Sequence, residues 1–257
     1  MRTPEELKGL VEEALDGFEL WPELNGQAES ARYALVEMGG KRIRPVISLA
    51  VGEALGAEPE RVMPAALAVE LVHNFSLAHD DLPALDNDRE RRGKPSVWAA
   101  YGEGNAVLAG DALLAEAFRL AASYPTAHVA RELAEATLGM IGGQYLDTMA
   151  PDADLETVHR LKTGRLFYVS VSLPLWAAEV PEAQQASWRA FGGELGLLFQ
   201  IVDDILDADG YVVTHGPEAA RALADQAAER AQGRLDVIAA DTSVLEKIVA
   251  GLAARTS

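Results

Sequence analysis

Two aspartate clusters about 120 residues apart dominate the chemistry available to this chain: Asp80-Asp81-Leu82-Pro83-Ala84-Leu85-Asp86 and Asp203-Asp204-Ile205-Leu206-Asp207. Each carries one more aspartate two residues on, Asp88 and Asp209. Crowded carboxylates raise one another's pKa and destabilise a fold. A hard divalent cation removes that conflict, and Mg²⁺ takes oxygen ligands, keeps waters and binds phosphates. A single cluster would read as a solvated acidic loop. Two of the same design, each after an apolar helical run, read as a pair of cation-holding walls.

The spacing places these groups. His73 and Asp80 are seven residues apart, two turns along one helix face and about 10.5 Å of axis. Pro83 disfavours helix at Leu82, so the helix should stop there and leave Asp86 free to fold back beside Asp80. Aspartates at a helix C-terminus oppose the macrodipole, a local cost that a metal would offset. In the second cluster Gln200, Asp203 and Asp207 form one stripe, and Leu197, Leu198, Ile201 and Leu206 should bury the other faces. That pattern describes the wall of a cavity.

Basic residues are scarce and grouped. Lys+Arg number 22 against 40 Asp+Glu, a formal net charge of −18. This balance argues against nonspecific nucleic-acid binding and against adhesion to an anionic membrane. Yet Lys41, Arg42 and Arg44 fall together, as do Arg89, Arg91, Arg92 and Lys94. Pro45 puts the first group at a helix start, where cations fight the dipole unless an anion joins them. The second group, Arg91-Arg92-Gly93-Lys94-Pro95, should lie on a loop, and arginine forks suit phosphate oxygens. Acidic and basic clusters around apolar helices point to a ligand with a diphosphate head and a greasy tail.

The elements that must position these groups are helical. Helix periodicity covers 5–16, 27–38, 45–55, 60–82, 104–122, 127–148, 154–180, 184–209 and 217–239. Breakers separate them: Gly39-Gly40, Pro83, Gly93 with Pro95, Pro125, Pro151, Pro181 and Gly216-Pro217. Tyr211-Val212-Val213-Thr214 is the only short strand candidate. With 49% hydrophobic residues in 257 and no Pro/Gly/Ser linker, one all-α domain over 1–257 is expected. Mostly apolar helices such as 104–122 suggest a bundle with buried central members. There is no cysteine, so no disulfide or thiol chemistry. The N-terminal residues show no apolar signal core, and no apolar run is long enough to span a bilayer, so a cytoplasmic protein is expected.

At these residues the chain resembles the trans-isoprenyl diphosphate synthases, the polyprenyl synthetase family, most nearly the bacterial farnesyl and geranylgeranyl diphosphate synthases. The matching segments are Gly39 to Pro45, His73 to Pro95, Gly142-Gly143-Gln144, Lys162-Thr163-Gly164 and Phe199 to Asp207, in family order between residues 31 and about 209. The resemblance implies an all-α isoprenoid-synthase bundle around a deep central cavity, as a homodimer. It implies Mg²⁺, three ions once the allylic diphosphate is bound, with Asp80, Asp86 and Asp203 as ligands and Asp81, Asp204 and Asp207 in support. Arg91, Lys162, Thr163 and Gln200 match residues at the allylic diphosphate. Lys41, Arg44, His73 and Arg92 match those holding isopentenyl diphosphate. The implied reaction joins isopentenyl diphosphate to a dimethylallyl, geranyl or farnesyl diphosphate.

Phe75, five residues before Asp80, matches the position that can block further growth of the tail. This favours a C15 product over C10 or C20, although spacing alone puts Phe75 about 140° around the helix from Asp80. One departure from the family stands out. No lysine occurs between Asp207 and Lys247, and roughly twenty residues are skipped after Asp209, a segment that usually helps clamp the allylic diphosphate. His215 or Arg221 would have to substitute. A noncatalytic homologue modulating another prenyl synthase and a terpene cyclase are the alternative readings. The intact aspartate clusters argue against the first. The residues for a second diphosphate argue against the second.

Overall fold

The computed structural model describes residues 1–150 and 152–256; Pro151 and Ser257 lie outside them. The long helices fall where the periodicity puts them: α1 Pro4–Asp16, α2 Gln27–Arg32 running into a π-turn at Tyr33–Glu37, α3 Ile43–Ala54 and α4 Pro59–Asp80. After the short α5 Val97–Tyr101 come α6 Glu103–Ala121, α7 His128–Met149, α8 Leu155–His159, a π-turn Arg160–Gly164 and α9 Arg165–Ala177. The chain closes with α10 Ala186–Asp207, α11 Tyr211–His215, α12 Pro217–Asp236 and α13 Ser243–Ala253.

α4 and α10 organise the centre. α4 packs on α3, α6 and α9, and α10 packs on α9 and α12. α3 is buried from Arg44 to Gly52, and α9 is buried on nearly every residue from Leu166 to Leu175. α7 leans on α9 and on the π-turn that carries Lys162. Among the described residues, no helix is long and apolar enough to cross a membrane.

The structure departs from the sequence reading in five places. Tyr211–His215 is helical, because Pro217 and Gly216 stop α11 after one turn and Tyr211 buries itself against α10 and α12 rather than pairing as a strand. The loop after Asp88 contains a two-residue hairpin, Glu90–Arg91 against Lys94–Pro95. Its turn, Arg92 (φ 56°) and Gly93 (φ 76°), has the two left-handed residues that match strand twist. The run 154–180 is interrupted by the π-turn at 160–164 and ends at Ala177. α13, which carries five buried apolar residues, was not anticipated. Leu206 is 46% exposed and buries no face of α10.

Candidate active site

Pro83 ends α4 as expected. Asp81 is its C-cap, and the backbone then turns so that the Asp86 N–H donates to the Asp80 carbonyl at 2.9 Å. Asp86 therefore folds back beside Asp80. Burial, reinforced by Asp86 and Asp81 and opposed by Lys162, pushes the Asp80 carboxyl up to about 7. Asp81 is almost fully buried and accepts from Arg91 Nε at 2.7 Å; Arg91 also pairs with Asp88 at 3.2 Å. Arg91 thus neutralises the first cluster from its outer side.

Asp80 opens into a cavity of about 430 Å³. Arg44, His73, Lys162 and Thr163 share this hollow with it, and Phe75, Met140, Ile141, Tyr145, Met149 and Leu166 supply its apolar walls. Phe75 reaches it because the hollow wraps around α4 and takes in positions well away from the Asp80 face. Phe75 is 6% exposed, with its ring edge-on to His79 at 5.0 Å.

Arg44 is the buried arginine of this hollow. It lines the Asp80 cavity, lies over the Phe167 ring at 4.6 Å, and is pulled down to about 10 by burial, against the opposing charges of Glu70 and Asp203. Its Nε is buried without a hydrogen-bond partner. An unpaired buried guanidinium donor costs stability unless an anion completes it. His73 is held well below its ordinary pKa by burial and by the charges of Arg44 and Arg92, so it is neutral near pH 7. Arg92 donates to the Gly39 carbonyl beside this group.

Arg42 has a different fate from Arg44. It is buried with Glu70 at 2.7 Å and the Leu35 carbonyl at 2.8 Å, so it braces the core and is not free for a ligand. Lys162 sits on the π-turn, its ammonium donating to Asp147. Gly143 of α7 makes that placement possible: a Cβ there would lie 2.3 Å from the Lys162 backbone nitrogen.

The second cluster is divided. Asp203 is half-buried and pushed up by burial and Asp207, with Lys41 and Arg255 opposing, while Asp207 is exposed. Gln200 is not in the Asp80 cavity. Buried Asp204, one turn on, captures its amide at 2.6 Å and holds it beside a separate hollow lined by His159, Arg165 and Tyr168. His215 stacks near Tyr211 in a groove between α10 and α12, so it does not replace the absent lysine, and Arg221 is exposed on α12. Sequence reasoning missed Asp147, Arg255 and the α7 residues Ile141, Tyr145 and Met149. The last three could have been found as the exposed i, i+4, i+8 stripe.

Among the described residues, no three carboxylate, histidine or cysteine side chains converge to hold a metal ion. The donor set nonetheless suits Mg²⁺: Asp80 and Asp203 are half-buried, Asp86 is exposed, and carboxylates crowded in this way leave most coordination positions to water and phosphate oxygens.

The comparisons agree with this architecture. A family model described as polyprenyl synthetase matches residues 27–227, and the chain belongs to that family. It is 41% identical over 197 residues to the farnesyl diphosphate synthase of Bacillus subtilis (strain 168), an alignment covering 71% of this chain and 66% of that protein. To the geranylgeranyl diphosphate synthase of Cyanophora paradoxa it is 42% identical over 194 residues, covering 70% and 64%. The chain thus spans just under two thirds of these relatives. Its structure superposes on that of the geranyltranstransferase from Thermotoga maritima with a TM-score of 0.86 at 30% identity, covering 98% of both chains.

Proposed function

We propose that this chain is a trans-prenyltransferase that condenses isopentenyl diphosphate with an allylic diphosphate, extending the hydrocarbon by five carbons and releasing diphosphate. One observation carries the reading: Asp80, Lys162 and Thr163 share a cavity with Arg44 and His73, and Phe75, Leu77, Leu85, Met140, Ile141 and Leu166 give it apolar wall. Two sets of polar groups beside one greasy hollow fit two diphosphates and one growing tail.

Lys162 and Thr163 hold the allylic diphosphate, and Arg91, paired with Asp81 and Asp88, adds positive charge beside the first aspartate cluster. Mg²⁺ bound through Asp80, Asp86 and Asp203, as three ions with substrate present, would supply the positive charge that stabilises the departing diphosphate. Arg44, His73, Arg92 and Lys41 hold isopentenyl diphosphate. When the allylic C–O bond breaks, the electron pair leaves with diphosphate. The double bond of isopentenyl diphosphate then forms the new C–C bond, and the proton lost goes to the released diphosphate. Phe75, Met140 and Leu166 exclude water from the cation. Phe75 limits the tail, which favours C15 over C10 or C20.

A homodimer fits the exposed apolar side chains Leu138 of α7 and Val107 and Leu108 of α6, which do not line the cavity. The continuous core supports one domain over 1–257. The test is incubation with labelled isopentenyl diphosphate, each of dimethylallyl, geranyl and farnesyl diphosphate, and Mg²⁺, followed by product sizing. Expected is a Mg²⁺-dependent product near C15, with Asp80→Ala and Asp203→Ala each lowering turnover by at least about 10²–10³-fold. Diphosphate binding without any product would instead favour the noncatalytic homologue, to which the absent lysine segment points.

A further inference from the structure

The two adjacent aspartates of the second cluster point in different directions. Asp204 is 6% exposed. One carboxylate oxygen accepts from the Gln200 amide at 2.6 Å and the other from the Tyr211 backbone N–H at 2.8 Å. The Asp204 carbonyl accepts from the Asp209 N–H at 3.0 Å. These bonds tie down a three-residue crossing from α10 to α11 that includes Ala208 (φ 54°) and Gly210 (φ 45°). A Cβ on Gly210 would lie 1.9 Å from an Asp204 carboxylate oxygen, so the carboxylate fits only against glycine. From α8, His159 brings Nδ1 to 3.7 Å of the same carboxylate, and its ring lies 5.3 Å from that of Tyr211. His159 directly precedes the π-turn bearing Lys162 and Thr163.

We propose that Asp204 is a positioning residue: it latches the direct α10–α11 crossing and is not a cation ligand. Its side chain is almost wholly out of solvent, and both oxygens are already occupied by donors of this chain, so a hydrated Mg²⁺ has no access. Successive helix residues are turned by about 100°. Drawing Asp204 inward to the Tyr211 N–H therefore turns Asp203 away from that crossing, where the charges of Lys41 and Arg255 oppose the rise in its pKa. The crossing lies where family members carry the longer lysine-bearing segment, and Asp204 holds the shortened connection closed. This inference rests on the prenyltransferase reading for its catalytic consequence and on geometry alone for the latch.

The experiment compares wild type, Asp204→Ala, Asp204→Asn and Gly210→Ala by Mg²⁺ titration of prenyl transfer and by amide hydrogen exchange over 209–215. Losing a hydrogen bond to a charged group should speed exchange at Tyr211 about tenfold or more in Asp204→Ala and Gly210→Ala. Both should lower kcat by roughly ten- to a hundredfold and raise half-saturating Mg²⁺ through misplacement of Asp203. Asp204→Asn, which keeps an acceptor for the Tyr211 N–H, should restore slow exchange and most of kcat. The latch is overturned if Asp204→Asn and Asp204→Ala alike raise half-saturating Mg²⁺ while exchange over 209–215 stays as in wild type. It is equally overturned if Gly210→Ala behaves as wild type. Should wild type make no prenyl diphosphate, the activity reading fails and the exchange measurement alone decides the latch.

Discussion

Gly143 and Gly142 are neighbours on α7, and the structure gives them opposite roles. A Cβ on Gly143 would meet Lys162 N at 2.3 Å, Lys162 Cα at 2.7 Å and Leu161 C at 2.8 Å. All three are backbone atoms, so no rotamer change relieves the clash. Carbon contacts settle at about 3.5–4.0 Å, so α7 and the π-turn must separate by roughly 1 Å. Overpacking of this kind costs about 1–3 kcal/mol. The larger effect is catalytic, because the moving segment carries Lys162 and Thr163. A displacement near 1 Å in a positioning element lowers a rate by up to about 10²-fold.

Gly142, by contrast, has nothing within 4 Å of its Cβ direction. In a helix interior Gly→Ala adds about 0.5–1 kcal/mol of stability when the site is open. Gly143→Ala should therefore unfold at lower urea concentration and lose roughly ten- to a hundredfold in kcat/KM, while Gly142→Ala is as stable or more stable and keeps its activity. Urea unfolding followed by circular dichroism and steady-state kinetics on the allylic diphosphate would decide it. If Gly143→Ala matches wild type in both measurements, the packing of α7 on the π-turn does not set the position of Lys162.

Three further outcomes are expected. Arg42→Met should lower unfolding stability by about 3–5 kcal/mol by stranding buried Glu70, and adding Glu70→Leu should recover part of that loss, both read by urea titration. Burial pushes Glu132 up, but hydrogen bonds from Arg189, Ser172 and Trp176 outweigh it and hold the carboxyl below its usual range. Its contribution is therefore present above the unfolded-state pKa and lost as pH falls through the lowered folded value. Wild type should then lose more stability between pH 6 and pH 3 than Glu132→Gln, and equal slopes would remove Glu132 from the acid response. Phe75→Ala should lengthen the product while costing about 3–5 kcal/mol of stability, and an unchanged product distribution would exclude Phe75 as the limit on the tail.

Much of the architecture was legible because helix periodicity and breakers are local properties. Pro83 foretold both the end of α4 and the return of Asp86 to Asp80. Of the two cation-rich stretches, only Arg44 lines the Asp80 cavity, and composition alone did not single it out. Arg42 and Arg44 are equivalent in composition, yet Glu70, 28 residues away, takes Arg42 into the core. Gln200 shares the predicted stripe with Asp203, yet Asp204 turns its amide to another hollow. Tyr211-Val212-Val213-Thr214 has strand propensity, and burial against two helices overrides it.

By itself the amino-acid order determined an all-helical chain, two carboxylate clusters at helix ends and the scarcity of cations that made their grouping informative. Only the tertiary structure decided which carboxylate of each pair is bonded within the fold, which arginine stays unsatisfied at the cavity, and how close α7 comes to Lys162. Those outcomes depend on partners distant in sequence and on about 100° of rotation between neighbours on a helix, and neither is written in the spacing of residue types.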